Sequence, residues 1–165
     1  MCIEKIRTIA EGYRIAMEKA HKDGKFQRYP MLRDFPIRSC GDASILVGES
    51  LINNGFENLW YVCGTHYPDN GDNEENFQGI QSHAWISVGN PFDNRSIIVD
   101  ITGDQFKNDL EYNYYDEPVY VGPIDWFHLR FEYEQSDVHE FNGINGYDES
   151  TRNTMHMLYR IMDRL

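Results

Sequence analysis

The stretch Ser39-Cys40-Gly41-Asp42-Ala43-Ser44 opens the helix around which the rest of the chain is organised. The apolar and small residues of this segment recur at the spacing of one buried helix face, at Ala43, Leu46, Val47, Ser50 and Leu51. Ser39 and Asp42 have the spacing of a capping box, and Gly55 suits the helix end because glycine adopts a positive φ without steric cost. Cys40 is therefore predicted to lie in the first helical turn, where free backbone N–H groups favour a thiolate.

The composition describes a chain that can bury a core and that carries a strong negative charge. With 165 residues, of which 41% are apolar and 14% aromatic, residues 1–165 are predicted to form one domain. The 27 acidic residues outnumber the 15 basic ones and give a net charge of −12. This balance argues against nucleic acid or an anionic membrane as the main partner.

The sequence also carries information about the location of the protein. The segment from Met1 to Arg14 is interrupted by charged residues, so we expect no secretion signal there. No apolar run approaches the ~20 residues that a membrane-spanning helix needs. The three cysteines are odd in number and are expected to be reduced thiols, which favours a cytoplasmic location.

Hydrophobic periodicity and turn residues predict the order of the other elements. An amphipathic helix is expected from Ile3 to about Ala20, and a closing helix from Glu149 onward, capped by Asp148 or Ser150. The segments between them are predicted as an irregular lead-in at 25–38, strands at 59–64, 82–88, 95–102, 119–122 and 126–134, a short helical turn near 104–110, and surface loops at 65–79 and 136–147. The predicted fold class is therefore α+β, with the N-terminal helices packed on an antiparallel sheet.

Two of these strands, 82–88 and 95–102, flank a run of turn residues and are predicted to form a hairpin. If Val88 pairs with Arg95, the same register places His83 directly opposite Asp100, with their Cβ atoms ~4.5–5.5 Å apart. Asp100 lies in an otherwise apolar strand, where an unpaired carboxylate costs several kcal/mol. We therefore expect a hydrogen bond between His83 and Asp100.

Cys40, His83 and Asp100 together have the residue types that thiol catalysis requires. A cysteine nucleophile needs a thiolate, a base that holds and returns a proton, and a group that fixes the orientation of the base. Cys40 at a helix start supplies the first, and His83 paired with Asp100 supplies the other two. The sequence predicts a Cys40–His83–Asp100 triad.

In these motifs the sequence resembles the transglutaminase-like branch of the papain-like cysteine protease superfamily. The matching segments are Cys40 with Gly41-Asp42-Ala43-Ser44, then His83-Ala84-Trp85, then Asp100-Ile101-Thr102, within a region from about Phe35 to Gly122. Ser39 and Gly41 stand where the animal transglutaminases have Gln and Trp, so the resemblance is to a small microbial member rather than to a protein cross-linking enzyme. It implies a papain-like or transglutaminase-like core.

The resemblance also implies a reaction. The cysteine would attack the carbonyl of an amide or thioester in a peptide, protein or small amide, and would form an acyl-enzyme without a cofactor. Transfer of the acyl group to water would make the protein a protease, amidase or deamidase, and transfer to an amine would make it an acyltransferase. The backbone N–H of Cys40 would hold the oxyanion together with a second donor, for which Ser39, Gln105 and Gln27 are candidates.

Other interpretations of the same residues remain open. A catalytically inactive member could keep the fold as a protein-binding domain. Cys63-x-x-His66 with Cys40 and His83 could form four zinc ligands, but the second close pair of a zinc site is missing, so no metal is expected. Cys63 is expected to pack within its strand. Four further histidines show no partner signature and are expected to be surface or packing residues: His21, His128, His139 and His156.

Overall fold

The computed structural model describes residues 2–68 and 80–163, which form three α-helices on a five-stranded antiparallel sheet. The helices are α1 (Ile3–Lys22), α2 (Cys40–Asn53) and α3 (Glu149–Asp163). The strands are β1 (Leu59–His66), β2 (Gln81–Val88), β3 (Ile97–Asp100), β4 (Tyr120–Gly122) and β5 (Val138–Phe141), in the order β4-β3-β2-β1-β5. The predicted α+β class is confirmed.

The helices cover one face of the sheet. The predicted apolar stripe of α2 is buried, with Leu46, Val47 and Leu51 fully enclosed against Ile86 of β2 and Val99 of β3. α1 and α3 pack beside α2 and complete this layer. The first turn of α2 therefore lies over the sheet, close to β2.

The opposite face of the sheet carries a second, mainly aromatic cluster. Its largest buried members are Trp85, Phe106, Tyr112, Tyr115, Phe127 and Phe131. Because side chains alternate along a strand, Trp85 faces this cluster while its neighbour Ile86 faces the helices. His83, two residues before Trp85, lies on the aromatic side.

The hairpin between β2 and β3 forms in a different register from the predicted one. Val88 pairs with Ile97, and Ile86 pairs with Val99, so the pairing is shifted by two residues. The reason is the connection, where successive turns close at Asp93 and Ser96 and delay the start of β3. A shift of two keeps every side chain on its face, so His83 and Asp100 become diagonal rather than direct neighbours.

Other expectations for this part of the chain are corrected. The segment 126–134 is a 3₁₀ turn at His128–Arg130, and only Glu132 bridges to β1, at Thr65. The segment 136–147, predicted as a loop, contains β5, which pairs with β1. The predicted loop 65–79 begins later, because β1 continues to His66, and residues 69–79 lie outside the described residues.

The ends of the helices were predicted in part. Ser39 is the N-cap of α2, but its hydroxyl donates to the carbonyl oxygens of Met31 and Ile37, so the predicted capping box does not form. Asp148 does cap α3, since its carboxylate accepts hydrogen bonds from the backbone N–H and the hydroxyl of Thr151. Among the described residues no helix has the length and apolar character needed to cross a membrane.

Alanine substitutions at two glycines are predicted to change the stability of this fold in opposite directions. A Cβ on Gly64 of β1 would lie 2.7 Å from Cβ of Phe131 and 2.8 Å from its carbonyl oxygen, whereas a Cβ on Gly12 of α1 would meet no atom within 4 Å. We expect Gly64→Ala to destabilise the fold by about 1–3 kcal/mol through overpacking. Gly12→Ala should instead stabilise it by about 0.5–1 kcal/mol through helix propensity. Urea unfolding of both variants checks this, and a stable Gly64→Ala would contradict the close approach of Phe131.

Candidate active site

Cys40 occupies the first position of α2, and the segment before it is anchored to hold it there. The Ser39 hydroxyl donates to the carbonyl oxygens of Met31 at 2.9 Å and Ile37 at 3.2 Å, while the Ser39 carbonyl accepts the Ala43 N–H at 2.9 Å. The N–H groups of the first helical turn, including that of Cys40, have no partner within the helix. The helix start thus presents the thiol together with free donors.

The side chain of His83 and the backbone of Ala84 lie close enough to the Cys40 thiol to change its pKa. Burial of the largely buried Cys40 would raise its pKa, but the interaction with His83 and its charge, together with the backbone of Ala84, outweigh burial and lower the pKa. The negative charge of Asp100 acts weakly in the opposite direction. The environment therefore favours a thiolate paired with an imidazolium.

His83 is held on its other nitrogen by Asp100. His83 Nε2 lies 2.7 Å from Asp100 Oδ2, and the two side chains are 0% and 1% exposed. Burial alone would lower the pKa of His83, but the charge and hydrogen bond of Asp100 reverse this and raise the pKa to about 10. The rings of Phe106 and Phe131 lie 5.3 Å from the imidazole and exclude water from this pair.

Asp100 is the most heavily bonded carboxylate of the site. Besides His83, it accepts the Thr102 backbone N–H at 2.9 Å on Oδ1 and His128 Nε2 at 3.0 Å on Oδ2. Burial would raise the pKa of Asp100, but the charges and hydrogen bonds of the two histidines outweigh it and hold the pKa well below its usual range. Asp100 is therefore ionised and shared between two imidazoles.

His128, expected to be a surface or packing residue without a partner, is instead fully buried inside the site. Its Nε2 faces Asp100, and its Nδ1 lies 2.5 Å from Oδ1 of Asp125, which also accepts the His128 backbone N–H at 2.8 Å. An ionised carboxylate only accepts hydrogen bonds, so both ring nitrogens must carry protons and His128 is a cation. Although burial lowers the pKa of His128, the two carboxylates raise it overall.

A sequence signal for His128 does exist. Asp125 and His128 stand three residues apart in a segment that also contains the aromatic residues Trp126 and Phe127. That spacing places a carboxylate and an imidazole on the same side of one helical turn. The segment was predicted as a strand, in which residues three apart point to opposite faces, so the pair was missed.

Gln105 is the better placed of the second-donor candidates. Its Nε2 lies 3.3 Å from His83 Nδ1 and 3.2 Å from the Thr102 carbonyl oxygen, and its Oε1 accepts the Arg38 backbone N–H at 3.3 Å. The hydroxyl of Ser39 is already bonded to two carbonyl oxygens and is buried. Gln27 is exposed in the turn after α1.

The segment that carries Gln105 is tied to α1 by Arg14. This buried guanidinium forms two 2.8 Å hydrogen bonds to the carboxylate of Asp104 and donates to the Ile101 carbonyl oxygen at 2.7 Å. The paired contacts fix position and direction, as is usual for arginine with a carboxylate. The chain between Asp100 and Gln105 is therefore held from the helix layer.

The four-ligand zinc arrangement is not found among the described residues. His66 points away from Cys63, with its nitrogens 3.2 Å from the Arg130 carbonyl oxygen and 3.0 Å from Glu111. Within the described chain the one group of side chains close enough to share a metal is His83, Asp100 and His128. Their atoms are in direct hydrogen-bond contact at 2.7 and 3.0 Å, and these hydrogen bonds account for the arrangement.

Comparisons of the chain with protein-family models, with curated proteins and with solved structures find no match. The transglutaminase-like relationship expected from the sequence therefore stays a prediction. The function proposed below is based on the geometry of five residues: Cys40, His83, Asp100, His128 and Gln105.

The first prediction from this geometry concerns thiol reactivity. Cys40 should be alkylated by iodoacetamide at lower pH than Cys63, because His83 lowers the pKa of Cys40 whereas burial and the nearby Cys40 raise that of Cys63. Peptide mapping by mass spectrometry after short labelling pulses across pH measures both thiols. In His83→Gln the preference for Cys40 should disappear, and a Cys40 profile indifferent to that change would disprove the thiolate–imidazolium pair.

A second prediction concerns the charge on His128. Replacing it in His128→Gln removes a cation from the site, so the pKa of both Cys40 and His83 should rise, that of Cys40 by about 0.5–1 pH unit. The alkylation profile of Cys40 and ring ¹⁵N NMR of His83 measure these shifts. His156→Gln on α3 is the matched control and should move neither pKa. A variant that only lowers the melting temperature, with both pKa values unmoved, would contradict a charged His128.

Proposed function

We propose that this protein is a thiol-dependent enzyme that hydrolyses or transfers an acyl group, with Cys40 as nucleophile, His83 as acid and base, and Asp100 as the group that orients His83. The observation that carries the proposal is one arrangement: a cysteine at a helix start, beside a buried histidine that is itself hydrogen-bonded to a buried carboxylate. The resemblance of the three motifs to the transglutaminase-like enzymes agrees with it.

The first step forms the bond between sulfur and the acyl carbon. The Cys40 thiolate attacks a substrate carbonyl, and the carbonyl π electrons move to oxygen to give a tetrahedral oxyanion. The free N–H of Cys40 stabilises this charge at the positive end of α2. Nε2 of Gln105 is the proposed second donor, since the protonated Nδ1 of His83, 3.3 Å away, cannot accept its N–H and leaves that donor to a substrate oxygen.

The second step breaks the bond to the leaving group. His83 gives its Nδ1 proton to the departing amine or thiol, and the electron pair of the oxyanion re-forms the carbonyl, which leaves an acyl group on Cys40. Water or an amine then gives its proton to the neutral His83 and attacks the thioester. Collapse of that second tetrahedral oxyanion breaks the bond between sulfur and the acyl carbon and expels the Cys40 thiolate, which faces the imidazolium already formed on His83.

Asp100 and His128 keep His83 in the geometry that this sequence of proton transfers needs. The Asp100–Nε2 hydrogen bond directs Nδ1 of His83 towards Cys40 in every state of the cycle. His128 is proposed as a positioning residue, because it holds Asp100 ionised and makes a second hydrogen bond to the oxygen that contacts His83. Neither Asp100 nor His128 is proposed to contact the substrate.

The alternative from another class is a protein-binding domain without catalysis. The same fold could present a surface to a partner while Cys40 stays unreactive. The features that favour an enzyme are the lowered pKa of Cys40 and the raised pKa of His83, neither of which a binding surface requires.

Formation of an acyl-enzyme tests the proposal. Incubated with p-nitrophenyl acetate and with acetyl thioesters, the protein should gain one acetyl group on Cys40, detected by intact-mass spectrometry and peptide mapping and removed by hydroxylamine. Cys40→Ala should not acquire it, and His83→Gln should form it at least a hundredfold more slowly, the size expected for loss of a general base. Added primary amines should speed deacylation if the enzyme is a transferase.

Matched variants separate this chemistry from chance acylation. Cys63→Ser and Cys2→Ser keep the site intact and should acetylate at the parent rate. Acetylation of Cys40 that is equally fast in His83→Gln would mean that the thiol reacts without its neighbours. That result would favour the binding-domain alternative.

A further inference from the structure

The aromatic side of the sheet carries an open groove of about 840 Å³ that the proposed chemistry does not use. Its lining includes four apolar side chains that are exposed to solvent, with 60% exposure for Tyr67, 46% for Phe92, 42% for Ile124 and 63% for Leu129. Single exposed apolar residues are ordinary, but several that meet in one concave surface indicate a binding site.

The groove continues into a neighbouring hollow of about 210 Å³. The two share Pro91, Phe92, Ile124 and Tyr133, and the second hollow is also lined by Trp85. Two adjoining hollows with common apolar walls suit a chain that places successive side chains along a surface. A single small molecule would need only one of them.

The rim of the groove is acidic. Glu132, Glu134 and Asp137 line it and are exposed, and no lysine or arginine is among the described lining residues. The ion pairs found in the described part of the chain include none of these three carboxylates. Glu134 and Asp137 accept backbone N–H groups from each other, but the described residues give them no cationic partner, so their negative charge is available to a cation brought by a ligand.

We propose that this groove binds a peptide segment in which an aromatic or aliphatic side chain stands beside a lysine or arginine. The apolar wall would take the first side chain and the carboxylates the second. The acidic rim disfavours nucleic acid and anionic lipid, and a second copy of this chain would also bring a net charge of −12.

The groove adjoins the candidate active site but does not depend on it. Phe131 lines the groove and also packs against His83, with ring centroids 5.3 Å apart. Thr65, another lining residue, follows Gly64, which is paired with His83 between β1 and β2. A peptide in the groove would thus lie beside the site, and its binding requires no reaction at Cys40.

Binding is measured with the full-length Cys40→Ala variant, so that failure of the proposed chemistry cannot affect the result. The probe is a dye-labelled peptide of alternating phenylalanine and lysine, followed by fluorescence anisotropy at low salt. The cationic peptide should bind, and its affinity should fall as NaCl is added. The matched peptide with glutamate in place of lysine should not bind.

Paired variants locate the contact. Glu132→Gln should weaken binding about threefold, as expected for loss of one exposed charge pair. Phe92→Ala should weaken it about fivefold or more through lost apolar contact. Glu11→Gln and Ile15→Ala likewise remove one negative charge and one exposed apolar side chain, but on α1 in the helix layer, and should leave binding unchanged.

Three outcomes would overturn the proposal. Absence of measurable binding by the cationic peptide would do so directly. Equal weakening by Glu11→Gln and Glu132→Gln would show only general attraction to an acidic protein. Equal binding of the glutamate peptide would show that the carboxylates do not select the ligand. None of these outcomes bears on the proposed acylation of Cys40, which the acetylation experiment tests separately.

Discussion

The site depends on one carboxylate, that of Asp100, shared between two buried imidazoles. His83 and His128 contact the same oxygen at 2.7 and 3.0 Å. From His83 through Asp100 and His128 to Asp125 the groups alternate in sign, and Cys40, whose pKa His83 lowers, lies beside the first of them. Each charge has an opposite neighbour within hydrogen-bond reach, which is the condition for placing charges inside an aromatic core.

That row of charges is possible because of how the sheet and its connections are built. β2 supplies His83 and β3 supplies Asp100 on the same face, while the 3₁₀ turn after β4 brings His128 to the same carboxylate. The ladder between β2 and β3 ends near Asp100, which leaves the region around His83 open to the first turn of α2. The Cys40 thiol lies beside His83 in this region.

From the sequence, the hydrogen bond between His83 and Asp100 could be predicted, but the participation of His128 could not. Asp100 stood out because a carboxylate in an apolar strand requires a partner, and His83 was found because its parity placed it on the same face, although the register was wrong by two. Cys40 was found through helix periodicity. His128 was missed because its neighbours Phe127 and Phe131 made a 3₁₀ turn resemble a strand, and turns of this kind are decided by tertiary packing rather than by local pattern.

Stability alone does not explain the charges in this core. Replacing a buried ion pair by apolar side chains of similar volume is often neutral or stabilising, so an aromatic layer that already contains Phe106, Phe127 and Phe131 gains little from enclosing two histidines and a carboxylate. The buried Arg14–Asp104 pair differs, since it also satisfies backbone oxygens and fixes a loop. What the Asp100 cluster does change is the pKa of the partly exposed Cys40 thiol, which it affects through His83. That change in pKa is the physical reason to expect chemistry at Cys40.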